Sequence, residues 1–261
     1  MWYFWQYSLM IYIKSKEELK KMRKAATAVA EVLQTLKENV KEGVTTWELN
    51  KMAEDIAEKK SFVAAFKGYS NFPAAVCVAL NDEVVHGIPS KDTVLKEGDI
   101  IGIDFGAYID GYYGDSAITV PVGKISKIAQ KLLDVTEASL FKGIDQATPK
   151  NSIKDISKSI QDYVEESGFS VVKSFVGHGI GKNLHEEPQV PNFVTEMSQL
   201  GTKLKPGMVL AIEPMVNIGV AEVKILNDGW TAVTADGKLS AHFEHTVAIT
   251  DNGPEVLTRL N

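Results

Sequence analysis

The chain has 261 residues, a formal net charge of −6 and an isoelectric point near 5.5. That is long enough for one large domain or two halves, and too acidic for a dedicated nucleic-acid binder. A single cysteine, Cys77, excludes an intrachain disulfide framework and a cysteine-rich zinc module, and fits a reducing, cytoplasmic setting.

Residues 1–13 (MWYFWQYSLMIYI) are aromatic and uncharged. They lack the basic start and small-residue cleavage site of a signal peptide and are too short to span a bilayer, so no membrane association is expected. A second methionine, Met10, favours reading them as an N-terminal extension; the alternative is a short strand packing on the surface. Ser15-Lys-Glu-Glu18 has the form of a capping box, and Leu19, Met22, Ala26, Val29, Leu33 and Leu36 follow at helical spacing. The basic run from Lys14 to Lys24 reads as the solvated face of that helix, with contact to an anionic partner as the minority reading. Thr45 or Thr46 caps a second helix through Leu49, Met52, Ile56 and Ala57. Residues 68–73 form a loop, 76–80 a strand, and Asn81-Asp82 a turn into 84–89.

Residues 95–120 (LKEGDIIGIDFGAYIDGYYGDSAITV) concentrate the chemistry. Residues 100–108 read as a buried strand, Asp110-Gly111 as a two-residue hairpin turn, and 112–120 as the antiparallel return. That turn sets Asp115 opposite Gly106. Because side chains alternate with period two, Asp104 and Asp115 then share one face, among Ile, Phe, Tyr and Ala. Two ionised carboxylates side by side in apolar surroundings repel unless a cation lies between them.

The pattern recurs. Residues 95–104 (LKEGDIIGID) align without gaps on residues 204–213 (LKPGMVLAIE), so that Glu213 stands where Asp104 stood. Two residues before each carboxylate, on its own face, are Gly102 and Ala211, small enough to leave room for a ligand. A fourth carboxylate, Glu244, lies in the apolar strand 242–249 (HFEHTVAI). Amphipathic helices at 125–140 and 153–166 separate the copies. Such a repeat predicts two related halves closing on a shared centre, and with no linker or low-complexity tract the halves share one core.

Residues 175–188 (FVGHGIGKNLHEEP) flank His178 with glycines, which permit close backbone approach and unusual dihedrals and leave the imidazole prominent. They are not a dinucleotide fingerprint, because no strand–turn–helix unit surrounds them. Nor is His185-Glu186-Glu187 a metalloprotease helix, since no second His follows four residues on and Pro188 intervenes. A lone His in a loop is more often structural; beside four candidate ligand carboxylates the balance moves to metal.

Taken in order, residues 84–89, Asp104 with Asp115, 177–188, Ile212-Glu213-Pro214-Met215 and Phe243-Glu244-His245-Thr246 resemble the type I methionine aminopeptidases of metallopeptidase family M24. The resemblance runs from about Ile11 to the C-terminus, and is to the short bacterial form. It implies an α/β (α+β) pita-bread fold, also called the creatinase/aminopeptidase fold. Residues 14–261 would be a single catalytic domain of two pseudo-symmetric halves, about 14–124 and 125–261, around a central antiparallel sheet.

Family roles follow as expectations. Asp104, Asp115, His178, Glu213 and Glu244 match the ligands of two divalent metal ions, with Asp115 and Glu244 bridging. Four carboxylates against two such ions leave the centre formally neutral. The ions would lower a water's pKa from about 15.7 towards 7. Metal-activated hydroxide would then attack the first peptide bond and remove the initiator methionine when the second residue is small. Glu213 would shuttle the proton, His185 would stabilise the oxyanion, and His86 would contact the scissile amide nitrogen. His242, on the strand face of Glu244, would bind substrate or water, with His245 facing away. Tyr69, Phe72, Cys77 and Trp230, flanked by Phe66 and Leu184, would form the methionine pocket. The donor set suits Co, Mn, Fe or Zn, and a monovalent cation, Na or K, would sit on backbone carbonyls around Asn81, Glu83 and Ser240. The implied partners are nascent polypeptide N-termini, with transient ribosome contact and no specific nucleic acid, for a cytoplasmic monomer.

Two other functions fit parts of the pattern. A proline-specific peptidase of the same fold, like aminopeptidase P or prolidase, shares the five ligands but usually carries a large additional N-terminal domain. A metal-free binding module of that fold has no need for the five ligands and two auxiliary histidines found together here.

Overall fold

A computed structural model describes residues 10–194 and 201–260, so most of the aromatic start, 1–9, lies outside the described residues. Ser15 accepts from the Glu18 N–H while Glu18 accepts from the Ser15 N–H, which opens α1 (Lys16–Asn39). Thr45 and Glu48 do the same for α2 (Thr46–Lys59). Next come β1 (Val63–Ala64), β2 (Val76–Leu80), β3 (Glu83–Val85), β4 (Ile100–Ile109) and β5 (Tyr112–Pro121). Two helices follow, α3 (Lys127–Asp145) and α4 (Ile153–Glu166), then β6 (Ser170–Val171), β7 (Gly177–Gly179) and β8 (Glu186–Val190). The chain ends through β9 (Val209–Ile212), β10 (Met215–Asn217), β11 (Val223–Ile225), β12 (Ala232–Thr234), β13 (Ser240–His242), β14 (Glu244–Thr250) and β15 (Gly253–Val256).

Among the described residues, nine strands form one antiparallel sheet in the order β1-β4-β5-β14-β9-β7-β8, with β2 also on β4 and β15 also on β14. Helix α1 lies so close to β5 that a Cβ on Gly114 would come within 2.7 Å of the Ala26 nitrogen. Leu33, Leu36 and Leu49 join Ile101, Ile103 and Phe105 in one apolar cluster. Leu132, Leu140, Ile156 and Ile160 join Leu210, Ile212 and Val247 in another. The helices thus bury the sheet face away from the acidic side chains.

The repeat is visible atom by atom. Gly98 and Gly207 both adopt positive φ, in turns where Asp99 N–H donates to Lys96 O and Met208 N–H to Lys205 O. Gly98 N–H bonds Val122 O, and Gly207 N–H bonds Ile249 O, so β4 meets β5 as β9 meets β14. The two pairs join where Ala117 of β5 faces Glu244 of β14. Across that seam Thr246 Oγ1 both accepts the Asp115 N–H and donates to the Asp115 carbonyl. Thr119 Oγ1 repeats this with the N–H and carbonyl of His242.

Several local expectations change. Lys14 is not solvated: its N–H bonds Gly207 O, which pins it against the turn before β9, and its ammonium meets Glu186 at 2.7 Å in the interior. The strand expected over 242–249 breaks at Phe243, because His242 pairs with Met215 in a separate three-stranded sheet while Glu244 pairs with Ala117. Residues 177–188 are not a plain loop but contain β7 and the start of β8. The third helix starts at Lys127, capped by Ser126, and runs on to Asp145. Within 68–73 a 3-10 turn covers Tyr69–Asn71.

Candidate metal centre

The hairpin turn fixes the first two carboxylates. Asp110 and Gly111 both take positive φ, as a two-residue turn demands, and the register puts Asp115 opposite Gly106 and Asp104 opposite Ala117. Their side chains share a face, and the charge of Asp115 helps to raise Asp104. Glu244 opens β14. Glu213 follows β9 directly, where the ladder has ended, and its carbonyl accepts from Asn192 Nδ2 at 3.0 Å. His178 stands on β7 opposite Ala211. Its flanking glycines serve close approach and not unusual dihedrals: a Cβ on Gly177 would lie 2.4 Å from Ala211 O, and one on Gly179 2.3 Å from Glu187 O. Neither has positive φ, and the imidazole is buried and not prominent.

These side chains converge. One ligand atom each of Asp115, His178 and Glu244 lies within 4.8 Å of the others. His178 Nε2 is 3.5 Å from Glu213 Oε1, and His242 Nε2 is 3.9 Å from Glu213 Oε2. Burial raises the Asp115 carboxyl to about 7. Asp104 is pushed well above the usual carboxylate range by burial and then by Asp115 and Glu213. Glu213 and Glu244 are raised well above it too, by burial first and by Asp115 next. Loss of solvent holds His178 down at about 4, so its ring is neutral. Nδ1 lies 2.8 Å from the Gly179 carbonyl; a carbonyl only accepts, so Nδ1 carries the proton and Nε2 presents its lone pair.

Asp104 Oδ1, Asp115 Oδ1 and Glu244 Oε1 are buried without a hydrogen-bond partner, as is His242 Nε2. Buried acceptors are normally satisfied. Four carboxylates and a neutral imidazole facing one space are a fitting donor set for divalent first-row ions. The residues present fit the metal that the sequence implied.

The remaining candidates surround this cluster. His86 is held at φ +63°, an uncommon conformation for a residue with a side chain. Gly87, beside it, bonds Val78 N–H and leaves no room for a Cβ, which would lie 2.2 Å from Val78 O. His86, His242, Asp104 and Cys77 line one small cavity. The His185 ring lies 4.3 Å from that of His178 at a tilt of 52°, with Nδ1 2.8 Å from the Tyr69 hydroxyl; burial, then His178 and His86, keep it neutral. Phe66, Tyr69, Phe72, Cys77, Leu184 and Trp230 belong to a single apolar cluster, Phe72 and Trp230 meeting edge to face at 5.1 Å. His245 turns the other way, to Thr258. Ser240 N–H donates to Asn81 O, while the Glu83 carboxylate turns back onto Leu80 N–H.

Sequence reasoning missed Asn192, Thr119, Thr246 and the Lys14–Glu186 pair. The threonines pair with equivalent positions of the repeat, Thr119 with Gly102 and Thr246 with Ala211, but they lie outside the two aligned segments, and the other three residues had no signal either.

The model of metallopeptidase family M24 matches residues 20–251. A methionine aminopeptidase of Clostridium acetobutylicum is 53% identical over 249 residues, spanning 95% of this chain and 99% of its own. The crystal structure of methionine aminopeptidase from Thermotoga maritima matches with a TM-score of 0.93 at 46% identity, covering 96% of this chain and 100% of that one. A prolidase from Pyrococcus furiosus, 23% identical with a TM-score of 0.77, covers 95% of this chain and 66% of that one, and shares the fold.

Proposed function

The chain belongs to the methionine aminopeptidases of metallopeptidase family M24 and has the pita-bread fold, and from that membership we propose how its own residues act. It removes the initiator methionine from nascent polypeptides whose second residue is small, by metal-dependent hydrolysis of the first peptide bond. The observation that carries this reading is the set of partnerless carboxylate oxygens where β4, β5 and β14 converge.

Asp104, Asp115, His178, Glu213 and Glu244 would hold two divalent ions. Bound there, the ions supply Lewis acidity for the scissile carbonyl and for water. Glu213, raised by burial and flanked by His178 and His242, takes the proton of the attacking water and passes it to the departing amine. In this reading the Tyr69 hydroxyl, 2.8 Å away, donates to Nδ1, so that His185 carries its proton at Nε2 and offers it to the oxyanion. His86 steers the leaving nitrogen, and His242 contacts the substrate. Tyr69, Phe72, Cys77 and Trp230 enclose the thioether, whose soft sulfur suits aromatic rings.

The same reading makes residues 14–261 one catalytic domain of halves 14–124 and 125–261, with residues 1–13 an extension. It works as a monomer in the cytoplasm, in transient contact with the ribosome, on Co, Mn, Fe or Zn, with Na or K on the carbonyls near Asn81, Glu83 and Ser240. Among the described residues no helix is long and apolar enough to cross a membrane.

The test is substrate choice. Purified protein supplied with Mn, Co or Fe should release Met from Met-Ala-Ser and leave Met-Lys and Ala-Pro nearly untouched. Faster cleavage of Ala-Pro would replace this reading with a proline-directed peptidase.

A further inference from the structure

Lys14 and Glu186 form an ion pair that the chemistry above does not use. Nζ and Oε2 are 2.7 Å apart, and the side chains are only 5% and 3% exposed. The surroundings are shaped to admit it. A Cβ on Gly181 would lie 2.6 Å from Lys14 Cε and 2.7 Å from Glu186 Oε1, and one on Gly207 would lie 2.8 Å from the Lys14 carbonyl. Lys14 is anchored by its own N–H to Gly207 O. Glu186 spends its second oxygen on the Asn183 N–H at 3.1 Å, closing the turn 183–186. That turn carries Leu184, packed in the apolar cluster of Tyr69 and Phe72, and His185. From the solvent side Glu18, in the first turn of α1, reaches Lys182 at 3.6 Å, so residues 14–18 meet residues 182–186 twice.

A buried ion pair is weak evidence for stability, because the lost solvation of both charges offsets their attraction. Its use here is geometric. We propose that Lys14 is a positioning residue: through Glu186 it fixes the 181–186 turn and so the placement of the His185 imidazole beside the metal centre. This rests on the aminopeptidase reading only for the role of His185. Without the ammonium, the Glu186 carboxylate faces burial unpaired, and the bond to Asn183 that shapes the turn is weakened. Leu184 moves with the turn, but Phe72, Cys77 and Trp230 lie on other segments and still hold the substrate, while its transition state is less well met.

The test measures Met-Ala-Ser hydrolysis by wild type, Lys14→Met, Glu186→Gln and Lys14→Arg, together with the His185 imidazole resonances of the metal-free proteins, assigned through His185→Ala. Lys14→Met should lower kcat by about ten- to a hundredfold with KM changed by less than about threefold, and should shift or broaden the His185 signals. Glu186→Gln should do the same in milder form, and Lys14→Arg should restore both readouts. If Lys14→Met is too unstable to handle, Lys14→Met/Glu186→Gln, which leaves no charge buried, should show the same fall in kcat with native circular dichroism. Wild-type kcat and unchanged His185 resonances in a folded variant lacking the pair would overturn the proposal, as would failure of Lys14→Arg to recover them. A wild type inactive on Met-Ala-Ser would instead count against the function, and the resonances would still decide the role of Lys14.

Discussion

Asp115 carries a consequence that can be read without substrate. Its carboxyl has an ordinary value of 3.8 and is lifted to about 7 by burial, so the folded, metal-free protein binds this proton more tightly than the unfolded chain does. Stability from this group is therefore complete below about pH 4 and falls as pH rises to about 7. Buried histidines such as His178 and His86, held down at about 4, act in the opposite sense, losing stability as pH falls below their ordinary value of 6.5. Comparing Asp115→Asn with wild type removes the histidine contribution. In the presence of chelator, the melting temperature of the variant should gain on wild type steadily from pH 4 to pH 7; a constant gap would show that Asp115 ionises freely. His185→Ala should keep its metal, seen by elemental analysis, while kcat falls by about a hundred- to a thousandfold, the usual cost of removing an oxyanion donor. The acidic residues were legible in the sequence because carboxylates inside apolar strands are conspicuous. Lys14 and Glu186 were not, because a lysine in a basic run looks solvated until a partner 172 positions away is known.

At the scale of elements, the centre depends on β5 meeting β14 in one register. The side chain of Thr246 satisfies both backbone groups of Asp115, and that of Thr119 both groups of His242. Replacing Thr246 by Val keeps the shape and leaves two buried backbone groups without partners, at about 1–3 kcal/mol each. Urea unfolding of Thr246→Val should show that loss with an unchanged m-value, together with weaker Co binding than wild type. An unaffected midpoint would mean that the seam is held elsewhere. The β4–β5 register was legible because Asp110-Gly111 fixes it within one residue. The break at Phe243 was not: residues 242–249 read as one apolar run, and only the competing partners Met215 and Ala117 split it.

For the whole molecule, the two LKxG copies each lead to an acid, and among the described residues the nine-stranded sheet places those acids where β4, β5, β14, β9 and β7 converge. Antiparallel pairing between distant segments left no local trace in the sequence, so the order of strands had to come from the structure. Asp104 and Asp115 come from the first copy's hairpin, His178 and Glu244 from later strands, and Glu213 from just past β9; the proposed metal centre needs all five together. The measurement that tests this most directly is anomalous diffraction from crystals grown with Co or Mn. It should show two anomalous peaks enclosed by Asp104, Asp115, His178, Glu213 and Glu244, both lost in Asp104→Asn/Glu244→Gln. Crystals of active protein whose metal lies away from these five side chains would contradict it.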